Sequence, residues 1–175
     1  MRNFASVAEF VEYLETRMEA VRLAQKEGLN AAGHMLVHEA QATIGHYQEA
    51  AGPFKAWSPL SDATLYGGVS SEGHKFPGKV ELGYAPPDNP LLRTGHMRGS
   101  IECEAAQNHV VLGTHDPIAF WQEFGDYKIP ARSFIGATMF KHGHAAAELI
   151  FEFVMCAVGG LPKPRPPSEH SESED

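Results

Sequence analysis

The middle of this chain limits its fold more than any other part. Between Ala50 and Pro90 stand Gly52-Pro53, Gly67-Gly68, Pro77-Gly78 and Pro86-Pro87. Such pairs force turns, because proline lacks the donor a helix needs and glycine ends regular structure. Helical periodicity lies only on either side. With 175 residues, the expectation is a single domain over residues 1–160.

Before the broken middle, Ser6 and Glu9 have the spacing of a capping box, which satisfies exposed N–H groups at a helix start. Val7, Phe10, Val11, Leu14, Met18 and Val21 then recur on one helix face. Gly28 and Asn30 predict a break or kink. Leu29, Leu36, Ala40, Ile44 and Tyr47 continue as a second stripe, so two helices or one bent helix are expected.

Inside the middle, Ser58 and Pro59 predict the cap and first residue of a short helix ended by Gly67. Residues 67–89 read as a long irregular loop, the kind that carries function or moves. Asn89-Pro90 predicts a second short helix reaching Gly95 or Arg98. Ser100–Ala105 and His109–Gly113 alternate in polarity around Gln107-Asn108, which predicts an antiparallel hairpin. Asp116-Pro117 opens a short helix that Gly125 ends. Ile135, Met139, His142, Ala146, Leu149 and Phe153 predict a long final helix from Ser133 to Cys156, stopped by Gly159-Gly160. The fold class is α+β: a small antiparallel sheet packed with helices, one of them a long C-terminal helix. Residues 161–175 contain four prolines and an acidic end, and read as a disordered tail.

Charge narrows the function. Fourteen basic and 22 acidic side chains give a net charge of −8. A protein gripping phosphate through a basic face leans the other way. No apolar run is long enough for a transmembrane helix, and the N-terminus lacks a secretory pattern. Synthesis and retention in a cytoplasm are expected. Cys103 and Cys156 are too few for a disulfide framework or a thiolate zinc site, and are expected to stay reduced.

No catalytic motif is present. His34 and His38 share a helix face, but Met35 stands where a metalloprotease has its glutamate, and no third ligand is placed. There is no nucleophile elbow and no phosphate loop. The expectation is a non-enzyme without cofactor or bound metal. By contrast, residues 113–134 crowd Phe120, Trp121, Phe124, Tyr127, Pro130, Arg132 and Phe134 into a short stretch. Exposed aromatics beside a rigid proline and an arginine are what interfaces use.

Several segments in order carry a resemblance. They are Trp57-Ser58-Pro59-Leu60-Ser61, Pro90-Leu91-Leu92-Arg93-Thr94-Gly95-His96-Met97-Arg98-Gly99-Ser100-Ile101, Leu112-Gly113-Thr114, Ile118-Ala119-Phe120-Trp121-Gln122-Glu123-Phe124-Gly125, and Ile129-Pro130-Ala131-Arg132-Ser133-Phe134-Ile135-Gly136. Together, over about residues 57–140, the chain resembles the tail-completion or head–tail joining proteins of tailed bacteriophages, including the Mu-type virion morphogenesis proteins. Ser133 stands where the family often has proline, and Asp126 where it often has threonine.

The resemblance implies a structural virion protein at the neck, made in the host cytoplasm. It implies a homo-oligomeric ring, a hexamer first and a dodecamer second, meeting portal or connector proteins on one side and tail tube or terminator proteins on the other. Genomic DNA would pass through the lumen without specific binding. Trp57, Arg93, Trp121, Phe124, Tyr127, Pro130, Arg132 and Phe134 are the expected assembly-interface or motif residues; the Arg132 fork is expected to meet a carboxylate or carbonyls of the same chain or the next subunit, or else to brace the local helix start. Excluding residues 161–175, the charge is still −6, and an acidic lumen would repel phosphate. The alternatives are a tail terminator or minor tail protein, a small metal-dependent hydrolase using His34 and His38, and a soluble adaptor.

Overall fold

A computed structural model describes residues 3–84 and 86–165. The chain is α+β, with five helices and two two-stranded antiparallel sheets among the described residues. It packs as two compact units. One is drawn from Met1–Leu36, Cys103–Val111 and Gly143–Asp175; the other from Val37–Glu102 and Leu112–His142. Three elements run through both: helix α1 (Val7–Thr43), the hairpin of β3 (Ile101–Ala105) and β4 (Val110–Thr114), and helix α5 (Ile135–Gly159).

In the first unit, α1 is one uninterrupted helix. Its start is capped by Ser6 Oγ, which accepts from the Glu9 N–H, while Glu9 accepts from the Ala5 N–H. Gly28 does not break it. A Cβ there would lie 3.1 Å from Ile150 Cα and 3.1 Å from Phe153 Cβ. The glycine thus lets α1 and α5 approach closely, and that packing offsets the roughly 1 kcal/mol a helical glycine costs. Ala24, Leu29, Ala32 and Leu36 are buried in this unit, as are Ala146, Leu149 and Phe153. At its end, α5 stops at Gly160, where φ is +67°, and the Leu161 N–H returns to the Cys156 carbonyl. Lys163 then pairs with Glu27 at 2.6 Å. Of the expected tail, residues 166–175 lie outside the described residues.

The second unit holds the main apolar cluster: Ala40, Ile44, Trp57, Met97, Ile101, Ala119 and Phe134. Here the structure corrects three sequence expectations. The short helix α2 (Asp62–Tyr66) is capped by Ser61 rather than Ser58. The Ser58 and Pro59 carbonyls are instead taken by the Arg132 guanidinium, which holds that segment out of a helix. Residues 67–89 are not wholly irregular. Strands β1 (Gly67–Val69) and β2 (Lys75–Pro77) pair antiparallel, with Gly68 opposite Phe76. Residues 90–95 are not helical either. Leu91 has φ +61°, the Asn89 carbonyl accepts from Lys79 Nζ, and the Pro90 carbonyl accepts from the Gly45 N–H. Helix α3 (His96–Gly99) therefore starts only after Gly95, at φ +82°. Helix α4 (Pro117–Phe124) forms where expected, with Asp116 accepting from the Ile118 N–H.

Candidate functional site

Helix α5 has no acidic residue in its own first turn. Its positive N-terminal end, where backbone N–H groups lack helical partners, needs an acceptor from elsewhere. Glu123, near the end of α4, supplies it. One carboxylate oxygen accepts from the Phe134 N–H at 2.8 Å and the Ile135 N–H at 3.0 Å. The other accepts from the Gly136 N–H at 2.8 Å and from the Ser133 hydroxyl. Ser133 Oγ in turn accepts from the Ala137 N–H. Glu123 thus fastens α4 across the start of α5.

Arg132 fastens the other side. It is 6% exposed, and burial pulls its guanidinium pKa below the ordinary value. Nη2 donates to the Ser58 carbonyl at 2.9 Å and the Pro59 carbonyl at 3.3 Å, while its own N–H donates to the Gln122 carbonyl. The Trp57 indole N–H donates to the Ser133 carbonyl at 3.2 Å. Phe134 is fully buried beside them. The Trp57-Ser58-Pro59 and Ala131-Arg132-Ser133-Phe134 segments, distant in sequence, are therefore one knot.

That knot carries an exposed ridge. Along α4, Ile118 is 59% exposed, Phe120 58%, Trp121 49% and Phe124 69%. Phe120 packs edge-on against Trp121 and tilted against Phe124, with ring centroids 5.4 and 5.1 Å apart. The turn after α4 is rigid. Gly125 sits at φ +70°, and Asp126 accepts from the Lys128 and Ile129 N–H groups. This turn presents Tyr127 at 87% exposure, with Lys128 over its ring. Beside the ridge lies an open, mainly apolar groove of about 710 Å³ bordered by Phe54, Phe120, Phe124, Ile135 and Gly136.

The eight expected assembly residues therefore divide. Trp121, Phe124, Tyr127 and Pro130 are exposed together on and after α4. Arg93 is exposed elsewhere and stacks on Tyr84. Trp57, Arg132 and Phe134 are buried in the second unit, where the Trp57 indole N–H donates to the Ser133 carbonyl, Arg132 Nη2 donates to the Ser58 and Pro59 carbonyls, and the Phe134 ring lies in the apolar cluster. Sequence reasoning missed Glu123 as the clasp. Its signal was indirect: a long helix without acid in its first turn, preceded by a glutamate about ten residues upstream.

The metal alternative finds no assembled site. His34 and His38 are exposed, and among the described residues no group of three or more His, Cys, Asp or Glu could hold an ion. Five other histidines, His74, His96, His115, His142 and His144, each lie beside a single carboxylate, as His96 does at 3.2 Å from Asp116 and His142 at 3.6 Å from Glu39. No disulfide joins Cys103 and Cys156. Among the described residues, no helix is long and apolar enough to cross a membrane. No protein-family model, curated protein or solved structure was found to match this chain.

Proposed function

We propose that this protein is a non-enzymatic structural component of a tailed-phage virion. In this reading, copies form a ring at the head–tail junction and join the connector to the tail. The observation that carries the reading is the aromatic ridge of α4 and the turn behind it. Five large side chains stand in water on a backbone braced from beneath by Glu123 and Arg132. A rigid, self-stacked apolar patch beside a groove is the surface of a subunit made to be covered. The ordered resemblance to tail-completion proteins names the assembly in which such a surface would serve. A ring needs two unlike faces meeting head to tail, and the ridge is one of them.

The test is assembly. Light scattering after size exclusion, followed by negative-stain imaging, should show a closed ring. The protein should also copurify with particles of the phage that encodes it. Phe124→Ser and Tyr127→Ser, both at exposed positions, should lower particle yield while leaving the monomer folded. A monomer that also fails to copurify with virions would refute the reading. Arg132→Ala and Phe134→Ala are poor probes, because they would unfold the knot before they disturbed an interface.

A further inference from the structure

Residues 61–89 leave the body of the second unit and return to it as one excursion, with Ala85 outside the described residues. This arm holds α2, β1 and β2, and none of the apolar cluster comes from it. Gly78 and Lys79 are its only buried members among the described residues. Its hydrogen bonds close on the arm itself. The Lys79 and Val80 N–H groups donate to the Thr64 and Leu65 carbonyls, the Tyr84 N–H donates to the Lys79 carbonyl, and Lys79 Nζ donates to the Asn89 carbonyl at 2.6 Å. On either side the chain is bolted down. Arg132 Nη2 donates to the Ser58 and Pro59 carbonyls, the Gly45 N–H donates to the Pro90 carbonyl at 2.9 Å, and Pro90 is fully buried.

Between those anchors one side chain holds both ends of the arm. The Tyr47 hydroxyl accepts from the Leu60 N–H at 3.0 Å, at the entry, and donates to Asp88 Oδ1 at 2.6 Å, at the exit. Among the described residues, the arm's other polar or ring tie to that body is the Arg93 guanidinium over the Tyr84 ring, 5.1 Å from its centroid. A segment that buries so little apolar surface opens at a lower free energy than the core that carries it. We infer that residues 61–89 form a latched arm, which opens as one cooperative unit while the Glu123 and Arg132 knot stays closed, and that the Tyr47 hydroxyl is the latch. Tyr66, Val69 and Phe76 are 66%, 61% and 42% exposed and ride on this arm, so the latch and not the knot fixes where they stand. The device lies in the second unit alone and does not depend on the neck reading.

Native-state hydrogen exchange of the full chain, read amide by amide by NMR, tests it. The Lys79, Val80 and Tyr84 amides should share one opening free energy, well below that of the slowest amides between Ile135 and His142. Tyr47→Phe, at a position 40% exposed, should speed all three together by about 5- to 30-fold, since both hydrogen bonds of the hydroxyl are lost. Asp88→Ala should speed them by less, and the double variant should match Tyr47→Phe within about threefold, because both substitutions break the same bond. Glu123→Gln separates the arm from the knot. It should speed the slowest amides between Ile135 and His142 and leave the three arm amides unchanged, because the clasp is as complete with the arm open as with it closed. Arm amides that speed up in step with α5 in Glu123→Gln would mean that the arm opens only when the whole unit unfolds, and would overturn the inference. So would three arm amides with unrelated rates, or a Tyr47→Phe variant in which they exchange as in the parent.

Discussion

Removing the Glu123 carboxylate should unfasten α4 from α5. In Glu123→Ala, three backbone N–H groups at the start of α5 and the Ser133 hydroxyl lose their acceptor. Loss of a helix cap alone costs about 1 kcal/mol. The charge at the helix end adds up to about 2 kcal/mol in partly buried geometry. Hydrogen bonds to a charged group are worth about 1.5–3 kcal/mol each, but four bonds to one carboxylate are far from additive. Water can also reach part of the site, since Glu123 is only half-buried. A total of about 3 kcal/mol results. Glu123→Gln should cost about 2 kcal/mol, because the charge is lost and, in its better orientation, the amide still turns a donor toward the Gly136 N–H. Urea unfolding in a Trp121→Phe background leaves Trp57, hydrogen-bonded to Ser133, as the reporter of this unit. The midpoint should fall at unchanged slope. The melting temperature should drop by about 6–12 °C for the alanine variant, at about 2–4 °C per kcal/mol for a chain of this size. If both variants unfold within about 0.5 kcal/mol of the parent, the carboxylate is not the clasp described here.

Other outcomes follow from the same geometry. Thr138 is fully buried and its hydroxyl has no partner among the described residues, so Thr138→Val should be neutral or raise stability by up to about 1 kcal/mol, read as the urea midpoint. Gly125→Ala should destabilise by about 1–3 kcal/mol, because φ is +70° and a Cβ would lie 2.6 Å from the Ala131 nitrogen; thermal unfolding checks it. Burial, with a hydrogen bond to Asp88, raises the Tyr47 pKa above 10.0. Its contribution is therefore complete below pH 10.0 and lost as pH rises through the higher folded value. Lys79, lowered from 10.5 by burial, has the opposite sign: stability grows with pH between its folded value and 10.5. Urea midpoints across this range should fall less steeply in Tyr47→Phe than in the parent.

Much of the fold was legible because local chemistry and tertiary packing agreed. The three-and-four spacing from Val7 onward, the Asp116-Pro117 start, the alternating strands around residue 107 and the run to Gly160 all became elements near their expected bounds. The failures share one cause, a local signal outcompeted by a distant partner. Ser58 is a good cap by itself, yet its carbonyl belongs to Arg132, 74 residues away. Asn89 is likewise held by Lys79. Gly28 looks like a break until Phe153 lies against it.

The candidate site divides in the same way. Sequence alone determined that residues 113–134 hold an unusual density of aromatics, that the chain is acidic, and that no catalytic motif is present. It could not say which aromatics are core and which are surface, because Phe134 and Phe124 are chemically the same. Tertiary structure decided that. Phe134 follows the residue whose carbonyl receives Trp57 and lies at the helix end clasped by Glu123, so it is drawn inward. Phe124 sits at the far end of α4, stacks on Phe120 of the same helix at the edge of an open groove, and stays mostly in water. Burial is set by which distant segments arrive, and periodicity within one element does not encode that.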